Sequence, residues 1–425
     1  MLIHVVKSGE SLYSIARDYG VNPAQMAAEN GLSMEEALVV GQTVAVQFPD
    51  VVHIVREGQT LYRIAEQYGT DVLTLLRNNR WLLGRTTVYP GEVLVVSYFR
   101  HPAGRLSVSG YAYPTIDPVL LRSTLPYLTR LTPFTYGLTR EGRLLPPEEG
   151  WMPALAREYG VTPMLHLSAM TEQGAFSNGR SGMVLRNPAL QRQLAGEVLD
   201  TLRAKDYGGV DLDFEFLPAE EGRLYADFVT LMGEVLHPYG YRVVVALAPK
   251  TAADQPGLLY EGHDYGLLGR AADSVFLMTY EWGYRYGPPM AVAPLPKVKQ
   301  VLDYALTEIP AEKIALGIPN YGYDWPLPFR QGSTEGRSLS PVEAVALARR
   351  YGAAISYDEQ AQAPWFRYWD GAGREHEVWF EDGRSIRQKL LLAVGRSLGG
   401  VGYWNLDRPH PQNWVVLNAL VDLES

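Results

Sequence analysis

Cysteine is absent from the 425 residues, which excludes disulfides, a thiolate nucleophile and any zinc site built on sulfur. Histidine is sparse. The eight (His4, His53, His101, His166, His237, His263, His376 and His410) are scattered with no HExxH or comparable spacing, so they read as structural or surface residues and a metal mechanism is disfavoured. No metal or other cofactor is called for. No apolar run reaches the roughly 20 residues needed to span a bilayer, so no membrane insertion is expected. The opening MLIHVVKSGESL lacks the charged start, extended apolar segment and small-residue cleavage site of a secretory signal. Positive charge is in deficit, with a formal net charge of −9, which argues against nucleic acid or anionic membrane as the chief partner. No GxGxxG opens a helix, against a dinucleotide-binding sheet.

What is present suits a soluble globular chain: 47% hydrophobic and 20% charged residues, at a length that suggests about three domains. Two of these form an internal repeat. HVVKSGESLYSIARDYGV (4–21) and HIVREGQTLYRIAEQYGT (53–70) align at His4/His53, Gly9/Gly58, Leu12/Leu61, Tyr13/Tyr62, Ile15/Ile64, Ala16/Ala65 and Tyr19/Tyr68. Each unit opens with a short β-like run and turns at its glycine. Ser11 or Thr60 then caps a helix whose apolar residues recur at helical spacing. A second short helix leads to Asn30 or Asn79, and VGQTVAV or PGEVLVV closes the unit as a turn and strand. The pattern predicts a βααβ module at 1–48 and another at 51–97. These residues resemble the LysM module, which binds N-acetylglucosamine-containing glycans. The resemblance implies sugar contacts from the loop after the first strand (Gly9, Glu10, Ser11, Leu12; Gly58, Gln59, Thr60, Leu61) and the loop before the last (Asn30, Gly31, Leu32; Asn79, Trp81).

From residue 103 to 425 short apolar strands alternate with helical patterns. Strand candidates lie at 105–113, 130–138, 162–169, 208–216, 241–249, 273–282, 313–323 and 399–406. Eight strands parted by helices predict an α/β fold, a (β/α)8 TIM barrel. Aromatic, alternating segments at 353–358, 364–370 and 376–382 predict a small α+β insertion after strand seven, about 324–382.

The fourth strand carries the chemistry. In GGVDLDFEFLP (208–218), Asp211, Asp213 and Glu215 occupy alternate positions of an apolar run. Alternate residues of a strand share a face, and ionised carboxylates are costly to bury without partners. A row of three on the inner face of a barrel strand therefore points to a site at its C-terminal end. Crowding favours one proton retained near neutrality. The terminal glutamate would then be the general acid and Asp213 its orienting partner.

This run resembles the DxxDxDxE signature of family 18 glycoside hydrolases, with Gly208 where the first aspartate usually stands. MTYEW (278–282) is similar to the family's MxYD motif, with Glu281 in place of aspartate, and GVGYWNL (400–406) to its eighth strand. The resemblance implies Glu215, Asp213 and Tyr280 as catalytic residues and Asp211 as their support. It implies Trp404, Glu281, Trp282 and Tyr321 as substrate-binding residues. It also implies retention through the substrate's own acetamido group rather than an enzymic nucleophile. Tandem LysM modules ahead of such a barrel resemble the N-acetylglucosaminidases that degrade spore-cortex peptidoglycan during germination. That implies a monomer at the coat/cortex boundary of a spore. A LysM-bearing chitinase and a catalytically silent glycan-binding barrel remain open alternatives.

Overall fold

The computed structural model describes residues 1–148 and 150–424; Glu149 and Ser425, both within the expected barrel range, lie outside the described residues. Each repeat is a βααβ unit. The strands Leu2–Val5 and Thr43–Val46 pair antiparallel around the helices Leu12–Tyr19 and Pro23–Asn30. Pro49–Ile54 and Val93–Tyr98 do the same around Leu61–Tyr68 and Val72–Asn78. Ser11 and Thr60 accept hydrogen bonds from the backbone N–H groups of Ser14 and Arg63, so both helices start at their expected caps.

The barrel strands are β1 (Gly104–Ala112), β2 (Arg130–Pro133), β3 (Thr162–Pro163 and Leu165–Ser168), β4 (Gly209–Asp213), β5 (Arg242–Leu247), β6 (Ser274–Leu277), β7 (Ile314–Pro319) and β8 (Gly400–Trp404). All pair in parallel, with β8 returning to β1 in a nearly closed barrel. The lapse in β3 follows Pro163, which has no N–H to give the ladder. Helices cover the outside. In Pro188–Lys205, Asn187 caps the first turn and Leu194, Ala195, Val198 and Leu202 are buried, the stripe expected of a helix on a sheet. No helix among the described residues is long and apolar enough to cross a membrane.

After β7 the chain builds a five-stranded antiparallel sheet from Gly322–Pro326, Arg337–Leu339, Ser356–Asp358, Ala363–Trp369 and Glu375–Trp379, with the helix Pro341–Tyr351 against it. The helix fits the α+β character expected of the insertion, and the strands Gly322–Pro326 and Arg337–Leu339 are additions to the three expected there.

Both modules sit on the barrel. In the first, the Thr43 hydroxyl donates to Gln412 at 2.6 Å and Ile355 N–H donates to the Val40 carbonyl at 2.8 Å. Gly41 has φ 84°, and a Cβ there would lie 1.8 Å from the Ile355 carbonyl oxygen, so only glycine permits that approach. In the second, the Tyr127 and Tyr159 hydroxyls donate to the carbonyls of Arg77 and Gly84 at 2.7 and 2.6 Å.

Candidate active site

β4 delivers the carboxylates. Its neighbours pair with it up to Ser168↔Asp213 on one side and Leu212↔Val245 on the other, so beyond Asp213 there is no ladder to hold the chain extended. The expected strand to Phe216 is therefore cut short, and Glu215 stands two residues past its end. Other bonds fix this exit. The His263 imidazole accepts from Ala248 N–H at 2.9 Å through Nδ1, which leaves Nε2–H to donate to the Phe214 carbonyl at 2.9 Å. Phe214 N–H reaches the Tyr225 hydroxyl at 3.4 Å. His263 is buried, so His263→Leu strands a buried N–H and a carbonyl. A loss of about 2 kcal/mol or more is expected, measurable by urea unfolding.

Asp211 and Asp213 are buried and Glu215 is half-buried at the mouth. With glycine at 208, Asp211 takes its hydrogen bond from the Tyr111 hydroxyl of β1 at 2.6 Å. Burial raises the Asp211 carboxyl pKa, opposed by His166 and by the Tyr111 bond. Burial also raises Asp213. Glu215 is raised by burial first and then by the charge of Asp213. Of the pair, Glu215 is the member that keeps its proton, because its pKa carries the neighbour's charge on top of burial. The Tyr280 pKa is raised well above normal, mainly by burial, which leaves its hydroxyl a donor.

A cavity of about 420 Å³ brings together Asp213, Glu215, Tyr280, Glu281 and Trp404. The Trp404 ring stands edge-on to Phe134 at 4.9 Å and 5.9 Å from Tyr111 and Tyr113. Gly317 on β7 leaves room for Tyr280, whose Cε1 would lie 2.9 Å from a Cβ there. The sequence reading ran β6 to Trp282, but it ends at Leu277. Beyond it, Thr279 and Tyr280 donate to the carbonyls two residues back, and Glu281 has φ 66°. That curl sends Tyr280 and Glu281 into the cavity. Trp282 is not among its lining residues; its N–H pairs with the Val292 carbonyl and its side chain packs on the core. Tyr321 does not line the cavity either. Its hydroxyl donates to Glu281, as does that of Tyr323 at 3.1 Å.

Sequence reasoning passed over His166, Tyr111, Tyr113, Phe134, Phe176, Phe276 and Met278, which line the same cavity together with Met170, Gly174 and Ala246. His166 was legible by the alternation used for the acids: it lies between Leu165 and Leu167 on β3, opposite Asp211.

Several proposed sugar contacts in the modules are committed elsewhere. The Asn30 amide donates to the Met26 and Ala45 carbonyls and accepts from Ala45 N–H. Asn79 repeats the pattern with Leu75 and Val95. Glu10 and Gln59 accept from Lys7 and Arg56 N–H and pair with His4 and His53. Leu12 and Leu61 are buried in the module cores. These six side chains brace their loops or fill the module cores. Gly9 and Gly58 take left-handed turns at φ 84° and 75°. Gly31 packs on Pro411, and Leu32 lines a cavity shared with the barrel. Trp81 lies under the Arg85 guanidinium, 5.2 Å away.

Comparison with known proteins gives the family. Residues 155–408 match the glycosyl hydrolases family 18, and residues 4–47 and 53–97 each match the LysM domain. The cortical fragment-lytic enzyme of Bacillus subtilis is 38% identical over 98% of this chain and 97% of its own. The crystal structure of the Bacillus cereus spore cortex-lytic enzyme SleL superposes with a TM-score of 0.84 at 36% identity, covering 100% of this chain and 98% of that one. A chitinase from Chromobacterium violaceum covers 74% of this chain and 98% of its own, with a TM-score of 0.69 at 26% identity. The chain belongs to glycosyl hydrolase family 18 and carries two LysM domains ahead of its barrel.

Proposed function

We propose that this chain is an N-acetylglucosaminidase that hydrolyses spore-cortex peptidoglycan with retention, using the substrate's acetamido group as nucleophile. The observation that carries the reading is one cavity in which the Glu215 and Asp213 carboxyl groups, the Tyr280 hydroxyl and the Trp404 ring converge. Glu215 gives its proton to the glycosidic oxygen while the acetamido carbonyl oxygen attacks C1 and the C1–O bond breaks, leaving an oxazolinium. Asp213 accepts the acetamido N–H and Tyr280 donates to its carbonyl oxygen. Water then attacks C1, and the Glu215 carboxylate takes its proton as the ring opens. No protein nucleophile is needed: Glu281, the remaining carboxylate of the cavity, is held by Tyr321 and Tyr323. Trp404 supplies an apolar floor for the C–H face of the sugar.

The names of the relatives support the cortex as substrate, and the LysM domains support anchoring to its glycan. In the cleaved subsite the sugar must carry a 2-acetamido group, which N-acetylglucosamine has. A muramic δ-lactam cannot form the same oxazolinium. We place the protein, as a monomer, at the coat/cortex boundary of a spore. Digestion of spore-cortex fragments, vegetative peptidoglycan and chitin oligomers, with products identified by mass, tests the reading. Chains ending in reducing N-acetylglucosamine should appear from cortex. Hydrolysis of chitin alone would replace this reading with a chitinase, and no release from any polymer would replace it with a lectin.

A further inference from the structure

His166 is not part of the mechanism above, yet it is buried in the wall of the cavity. Its Nε2 lies 3.4 Å from Asp213 Oδ2, and its Nδ1 lies 2.6 Å from the Thr135 hydroxyl. The first distance is longer than a normal hydrogen bond, and the two groups face each other across adjoining strands, His166 on β3 and Asp213 on β4. Phe134 and Tyr111 flank the ring at 4.9 and 5.7 Å, so it has little freedom to turn. We propose that His166 is a positioning residue: Thr135 donates to Nδ1, which fixes the proton on Nε2, and Nε2–H holds the Asp213 carboxylate in its ionised, substrate-facing state.

The chemistry selects this tautomer. A carboxylate opposite Nε2 requires a donor there, and a neutral imidazole with its proton on Nε2 presents an acceptor at Nδ1. Burial supplies the neutrality, pulling the His166 pKa down to about 4 against the pull of Asp211. Thr135 sits on the segment after β2, and its hydroxyl is also within 2.9 Å of the Tyr136 carbonyl and 3.0 Å of the Ser168 hydroxyl. The contact is to Oδ2, while the Asp213 Oδ1 is buried without a partner among the described residues, so Nε2–H is the donor placed nearest this carboxylate. The ionisable groups facing the pair are Asp211 and Glu215 on its own strand or just beyond, Tyr111 from β1, Arg130 from β2, Tyr280 beyond β6 and Tyr225 from the helix Gly222–Leu236.

The consequence is a division of labour within the dyad. A donor to Asp213 favours its anion and so leaves the shared proton with Glu215, where leaving-group protonation needs it. Without that donor the proton spends more time on Asp213, and the productive isomer becomes scarcer. The inference rests on the catalytic roles proposed for Asp213 and Glu215.

The test is a pair of variants and one spectrum. His166→Leu should lower kcat by about 10–100-fold with KM changed less, and should move the acid limb of the kcat/KM profile up by about one pH unit. The alkaline limb, set by Glu215, should stay. His166→Gln, whose amide nitrogen can stand where Nε2 stood, should bring the acid limb back. An unmoved limb in the leucine variant, or a glutamine variant no better than leucine, overturns the proposal. The ring ¹⁵N shifts of selectively labelled histidine should show His166 as the Nε2–H tautomer in wild type and lose that preference in Thr135→Val. An Nδ1–H tautomer in wild type overturns it even where a variant fails to fold. That spectrum needs no substrate, so it separates failure of this inference from failure of the cortex reading.

Discussion

Replacement of Glu215 by glutamine should reduce kcat on cortex fragments by at least about 10²–10⁴-fold while glycan affinity is retained. The amide keeps the shape of the side chain but can neither give a proton to the leaving oxygen nor take one from water, so both half-reactions lose their catalyst. It also removes the partner with which Asp213 shares a proton, while Tyr280 and the Trp404 floor remain. Binding, measured by calorimetry with the same oligomers, should therefore fall less than tenfold, an order-of-magnitude bound set by leaving every other wall residue in place. Appreciable residual hydrolysis would remove Glu215 from its role. The wild-type profile gives an independent check. As pH rises through the elevated Glu215 pKa the general acid is lost; as pH falls through the elevated Asp213 pKa its anion is lost. Both are raised by burial, Glu215 further by Asp213, so the bell should be centred above the usual carboxylate range, and a plateau reaching down to pH 4 would contradict the pairing.

The acidic row of this site could be read from alternation. Residues two apart on a strand face the same way, which put Asp211 and Asp213 on one face and Glu215 just past the strand's end, while Tyr280 and Trp404 were reached only through the family resemblance. The same rule, applied to Leu165–His166–Leu167 and to Tyr111–Ala112–Tyr113, reaches two more walls of the cavity. What alternation does not reach is the chain beyond the ladders. Trp282 reads as a continuation of Tyr280 only if β6 runs on. The strand instead ends at Leu277 and the chain curls through a left-handed Glu281, so parity is lost. In the modules the difficulty is different. Asn30 and Asn79 recur because each replaces a missing stretch of backbone hydrogen bonding between helix and closing strand. A repeat in sequence shows that a residue is needed twice without showing whether its partner is a sugar or its own fold. The docking of the modules on the barrel had no local signature, since Thr43 and Gln412 meet only in the folded chain.

The largest expected effect on stability lies away from the cleft. Lys389 and Glu381 are fully buried, with Nζ at 2.8 and 3.0 Å from the two carboxylate oxygens. Glu381 stands two residues past the last strand of the inserted sheet and Lys389 lies on the helix Gly383–Gly395 that leads to β8, so the pair secures the return of the chain from the insertion to the barrel. Burial raises the Glu381 pKa even with Lys389 beside it, a sign that desolvation outweighs the attraction and that the pair is tolerated rather than strongly stabilising. Lys389→Met strands the carboxylate and should cost about 3–5 kcal/mol at neutral pH. The cost should depend on pH in a defined sense. With its cation gone, Glu381 has a folded pKa above its unfolded value, so the penalty is absent below the unfolded pKa and grows as pH rises towards the folded one. Urea unfolding at pH 4 and pH 7 should therefore show a smaller difference from wild type at the lower pH. The double variant Glu381→Leu with Lys389→Met removes both charges and should recover most of the loss, because apolar groups of similar volume need no compensation there. A single variant as stable as wild type at pH 7 would mean that loss of Lys389 strands no charge, and a double variant that recovers nothing would mean that the pair is held for its attraction after all.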